Sequence, residues 1–108
     1  MNNEQIIASA AITAGLYTEN EVTEILEKEG ELPLHSIMGW KQRSPRGYEY
    51  RVKKGEHGIE TRLWQKRKKK AGTNELSDSQ EEIMRDFYLA KTYLFDQSQV
   101  ELLRIEEG

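Results

Sequence analysis

Two short alternating runs constrain this chain more than any other feature. In the first, Tyr48, Tyr50 and Val52 alternate with Glu49, Arg51 and Lys53. In the second, Ile59, Thr61 and Leu63 alternate with Glu60, Arg62, Trp64 and Lys66. A period of two sends successive side chains to opposite faces of an extended backbone, so each run reads as a half-buried strand. Gly55 and Gly58 bracket Glu56-His57 between them, a turn longer than a two-residue hairpin. The expectation is a β-hairpin with Tyr48, Tyr50, Val52, Ile59 and Leu63 inward. Arg51, Lys53, Arg62, Trp64 and Lys66 would then share one outward face.

The hairpin needs partners to form a core. Asn2 and Gln5 have capping-box spacing, and Ile6, Ile7, Ala10, Ala11 and Ala14 fall at helical spacing before Gly15. Thr18 and Glu21 repeat the box, and Val22, Ile25 and Leu26 lead to Glu29-Gly30, a second short helix with acidic residues at its N-terminal dipole. These helices are expected to bury their apolar stripes on the sheet, the alternative being a docking face for a partner helix. Pro33 suits the first turn of a third helix from Leu34 to about Gln42, interrupted by Gly39. Ser44-Pro45-Arg46-Gly47 reads as a turn. The stretch from about 67 to 82 is a flexible polar insertion by composition. Phe87 to Phe95 is apolar or aromatic apart from Lys91 and Thr92, as in a central strand covered on both faces and paired with Ile59–Lys66. Val100 to Ile105 adds a last helical turn. The expected fold is a single α+β domain over residues 1–108, helical over 1–31. Its N-terminal short helices pack on a small, mainly antiparallel sheet of about three strands with a basic β-hairpin.

Charge is segregated along the chain. Residues 1–40 carry one Lys against seven Glu, a net −6; residues 41–70 carry twelve Lys and Arg against three Glu, a net +9; residues 71–108 return to −6. A basic block can steer a polyanion even in an acidic chain. Internal pairing with the acidic flanks is the alternative, although exposed ion pairs are typically worth only about 0–1 kcal/mol. With no cysteine, disulfides and thiolate metal sites are excluded. No apolar run approaches the roughly 20 residues that span a bilayer, and the start lacks a basic signal region, so a cytoplasmic protein without membrane contact is expected. His35 and His57 are too far apart in sequence to suggest a metal site and read as surface or capping residues. No cofactor is implied.

Single-stranded nucleic acid demands cations for phosphates and aromatic rings on which bases stack. The candidates are Lys41, Arg43, Arg46, Arg51, Lys53, Lys54, Gly55, Arg62, Trp64, Lys66 and Arg67. Gly55 enters because the Lys53-Lys54-Gly55 turn could offer backbone N–H groups to a phosphate. Trp64, Trp40 and Tyr50 are candidate platforms, with Trp40 the more usual kind of core filler. P-loop spacing is lacking, neither histidine sits in a nucleophile motif, and no catalytic residues are expected.

The order Trp40-Lys41, Gly47, Val52-Lys53-Lys54-Gly55-Glu56 and then Phe95-Asp96 with Gln99 resembles the N-terminal domain of the ArdC-type antirestriction proteins, over residues 32–101. The resemblance implies single-stranded DNA binding, in preference to duplex or RNA, by an accessory protein of a phage or mobile element acting against host restriction in the bacterial cytoplasm. Full-length members resemble a two-part protein with an H-E-x-x-H protease-like half, and no such motif occurs here. The competing class is a protein-binding inhibitor of a host defence nuclease, a restriction or CRISPR effector, acting through its charged surfaces.

Overall fold

The computed structural model describes residues 1–66 and 86–105, so the insertion expected at about 67–82 and the candidate Arg67 lie outside the described residues. Helix α1 spans Asn3–Thr13 and α2 spans Glu19–Glu29. Both begin in the capping boxes read from the sequence: the Asn2 side chain accepts from the Gln5 N–H at 2.8 Å, and Thr18 Oγ1 accepts from the Glu21 N–H at 3.2 Å. Each box satisfies two first-turn donors that no helix can satisfy internally.

The third helix departs from expectation. Leu34–His35 forms a two-residue strand, β1, and α3 is confined to Ile37–Gln42. Pairing of Leu34 and His35 with Asp96 and Phe95 holds them extended, and Ser36 supplies the cap, its hydroxyl accepting from the Gly39 N–H at 3.0 Å.

Strands β2 (Tyr48–Val52), β3 (Ile59–Lys66), β4 (Phe87–Asp96) and β5 (Val100–Arg104) follow, with a single 3-10 turn, Gln97–Gln99, between the last two. The fold is α+β, but the basic hairpin does not exist. β2 pairs with β5, and β3 pairs with β4, in two antiparallel sheets ordered β1-β4-β3 and β2-β5. The C-terminal segment expected to be helical is thus the strand that β2 uses.

Two core clusters lie on opposite faces of β4. Leu94, fully buried, joins Ala11, Val22, Leu32 and Leu34 under the two N-terminal helices, with Ile59 and Leu63 of β3 packed alongside. Its neighbour Phe95 points the other way and packs with Trp40 and Val100, with Tyr50 and Val52 of β2 against them. The residues assigned to one inward face therefore serve two cores, and Tyr48 serves neither, being 41% exposed. In the second cluster the Trp40 indole N–H donates to the Phe95 carbonyl at 2.8 Å. Gly58 abuts this junction: a Cβ there would stand 2.8 Å from the Tyr93 Cβ and 3.0 Å from the Leu94 carbonyl oxygen, so no larger residue fits without displacement.

β4 is covered on both faces only at this end. Phe87, Leu89 and Tyr93 are each more than 40% exposed. An apolar run reads as buried, yet the core that α3 and the small β2–β5 sheet build on that face takes in Phe95 and none of Phe87, Leu89 or Tyr93.

Candidate nucleic-acid interface

The uncovered part of β4 meets the polar side of β3. Residues directly opposite in an antiparallel ladder share a face, and the register places Glu60 with Tyr93, Arg62 with Lys91, Trp64 with Leu89, and Lys66 with Phe87. Eight residues of β3 make this face about 25 Å long, room for about four nucleotides. Beside it, Ile37, Met38, Trp64, Lys91, Tyr93 and Phe95 border an open groove of ≈ 400 Å³.

Trp64 is 43% exposed and held in place. The Asn3 side chain accepts from its backbone N–H at 2.8 Å and donates to its carbonyl at 3.1 Å, occupying the outer edge of β3 as a neighbouring strand would. Its indole N–H donates to the Met1 carbonyl at 3.1 Å. A platform already fixed loses less entropy when a base stacks on it. The other two candidate platforms are internal: Trp40 is buried, and Tyr50 packs on it with ring centroids 5.0 Å apart.

The candidate cations divide into three groups. Arg62 and Lys66 join Trp64 on the β3–β4 face. Lys41, Arg43 and Arg51 are engaged elsewhere. Glu49 lies 2.8 Å from Arg51 and 3.7 Å from Lys41, and Arg43 grips Glu31 with two nitrogens at 2.7 and 2.9 Å. Arg46, Lys53 and Lys54 sit in exposed turns and pair with no carboxylate among the described residues. Because β2 and β3 belong to different sheets, Arg51 and Lys53 do not share a strand face with Arg62, Trp64 and Lys66. Internal pairing thus accounts for three candidate cations and leaves five without an ion pair among the described residues.

The Lys53–Glu56 turn closes through the Glu56 N–H to the Lys53 carbonyl at 3.2 Å, with Gly55 at φ 86°, the left-handed value a type II turn requires in its third position. Two of its amides are already committed: the Glu56 N–H closes the turn and the Lys53 N–H donates to the Gln99 carbonyl at 2.9 Å, so of the turn's N–H groups only those of Lys54 and Gly55 are left for a phosphate. The Gln99 side-chain amide donates to the Glu56 carboxylate at 3.1 Å and to the His57 carbonyl at 2.8 Å. Asp96 caps the same corner, accepting from the Gln99 N–H at 3.2 Å and from Ser98 Oγ at 2.6 Å. The two separated sequence blocks therefore meet and hold the lysine-bearing turn at the Tyr93 end of the platform.

His35 is not a surface residue. It is 7% exposed, its ring edge-on to Trp40 at 4.9 Å, with Nε2 3.2 Å from Glu31. Burial, reinforced by the nearby Arg43 charge, holds its pKa below the ordinary value, against the opposing pull of Glu31. The Arg43 fork lowers that of Glu31 in turn. A histidine whose folded pKa is depressed binds its proton more readily when unfolded, so stability is full above about pH 6.5 and falls as the pH drops toward the lowered value. Glu31 adds a loss only below its ordinary range, as pH falls through its own lowered value. Thermal melts from about pH 7.5 to about pH 5 should show a falling Tm, the unfolding free energy dropping by at most about 1.4 kcal/mol per pH unit from this group. In His35→Gln the Tm should be lower at neutral pH and nearly flat across that window.

Sequence reasoning does not single out Lys91, Tyr93 and Phe87, because their segment reads as a buried strand; the signal available is a cation amid aromatics on alternate positions. No family model, curated protein or solved structure matches the chain. No helix among the described residues is long and apolar enough to cross a membrane.

Proposed function

We propose that this protein binds single-stranded nucleic acid, DNA in preference to RNA or duplex, on the exposed β3–β4 face. The observation that carries the reading is the co-facial set of Trp64 and Tyr93 with Arg62, Lys66 and Lys91. Rings give sequence-tolerant stacking at about 1–3 kcal/mol per base, and cations follow the phosphates. Lys53 and Lys54, on the turn at the Tyr93 end, extend the positive surface beyond the strands. The role is binding without catalysis. Likeness in the Val52–Glu56 and Phe95–Gln99 blocks supports assignment to the ArdC-type single-strand-binding domains, and with it an antirestriction role for a phage or mobile element in the host cytoplasm.

Charge reversal tests the site. Arg62→Glu and, separately, Lys53→Glu with Lys54→Glu are expected to weaken oligonucleotide binding and flatten its salt dependence. The log–log slope should fall by about 0.7 for each phosphate no longer neutralised, with Tm nearly unchanged. An unaltered slope in Arg62→Glu would remove the β3–β4 face from the site. A second reading, an inhibitor docking on a basic nuclease surface, draws on α2, where Glu19, Glu21, Glu24, Glu27 and Glu29 are all exposed. It gains if oligonucleotides fail to bind.

A further inference from the structure

Among the described side chains of the β3–β4 face, Glu60 is the only acid. It stands at one end of the platform, opposite Tyr93, with a carboxylate oxygen 2.8 Å from the Lys91 ammonium. The ammonium in turn lies 5.8 Å from the centroid of the Tyr93 ring. Lys91 is directly opposite Arg62, and like charges so placed repel. The carboxylate relieves that repulsion. We propose that Glu60 is an internal stand-in for phosphate, occupying Lys91 beside the Tyr93 ring until a single strand displaces it, and so setting the affinity of the face. This rests on the single-strand-binding reading above and assigns a regulating residue within it.

Two features support exchange, and a third decides the probe. Both partners are more than half exposed, and exposed ion pairs are weak enough for a multivalent polyanion to replace. An anion held by Lys91 next to an open ring occupies the position of a backbone phosphate whose base stacks on Tyr93. The Lys91 contact also holds the Glu60 carboxyl below its ordinary range, so mild acid does not remove the competitor and the substitution Glu60→Gln is the cleaner probe.

The test is fluorescence anisotropy with a labelled oligothymidylate of about 12 nucleotides, over a range of salt, on the full chain. Glu60→Gln is expected to bind roughly 3- to 10-fold tighter at low salt, with the salt slope steeper by about 0.7, because no freed carboxylate then takes up a counterion against the one the phosphate releases. Glu24→Gln on α2 makes the same change in net charge away from the face and should alter affinity by less than about twofold. In a Lys91→Gln background the gain from Glu60→Gln should fall to the size of that control, as a double-mutant cycle requires of two groups acting through each other. An equal gain with and without Lys91, or no gain in Glu60→Gln while the native protein binds, overturns the inference and leaves the binding reading standing. Absence of binding by both the native protein and Glu60→Gln overturns both.

Discussion

Replacing Trp64 and Tyr93 together by Ala should weaken single-stranded oligonucleotide binding by roughly 30-fold or more. Each stacked base is worth about 1–3 kcal/mol, and the two rings lie on one face at different heights along the ladder, able to hold two bases. Each single replacement should cost about 5-fold at least. Trp64 also donates to Met1, so its removal loosens the start of α1, whereas Tyr93 is 47% exposed and its loss should leave the melt unchanged. Tyr48→Ala is the control, an aromatic 41% exposed on β2 and off the platform, expected to change affinity by less than about twofold. If the Tyr48 and Tyr93 variants behave alike, stacking on this face is not the source of affinity.

The second large effect is on stability. Trp40→Ala should cost about 3–5 kcal/mol, the range for deleting a large buried aromatic, against a typical total of about 5–15 kcal/mol for a domain. Trp40 is 5% exposed and touches His35, Tyr50 and Phe95. Its deletion also leaves the Phe95 carbonyl without its indole donor, an additional cost for a buried acceptor. Trp40→Phe keeps most of the ring and loses the hydrogen bond, so it should fall between the native protein and Trp40→Ala in denaturant melts. A loss below about 1 kcal/mol for Trp40→Ala would mean that the second cluster is not a closed core.

Local features were legible in the sequence where local chemistry decides them. Both N-terminal capping boxes, the start of β2, the extent of β3, and the pairing of β3 with β4 follow from side-chain spacing and alternation. So does the sharing of one face by Arg62, Trp64 and Lys66, because residues two apart on one strand cannot do otherwise. Partner choice was not legible. β2 and β3 are neighbours in sequence with a turn between them, yet β2 pairs with Val100–Arg104, whose Glu, Leu and Arg residues favour helix in isolation. Tertiary pairing overrides that preference. The same limit hid His35, drawn inward by two ladder positions opposite Asp96 and Phe95. It also hid Lys91 and Tyr93, whose apolar neighbours suggest burial on both faces when α3 and β2–β5 cover only one end. The bracket from Asn3 to Trp64 spans 61 residues and leaves no local trace.

The most direct test of the proposed function is a titration of the native protein with single-stranded DNA, duplex DNA and RNA of equal length at fixed low salt. Single-stranded DNA is expected to bind tightest, with affinity falling as salt rises by a log–log slope of about −2 to −3, for the three or four phosphates that Arg62, Lys66, Lys53 and Lys54 can reach. Duplex binding as tight as single-strand binding, or no binding of any of the three at micromolar protein, would contradict it.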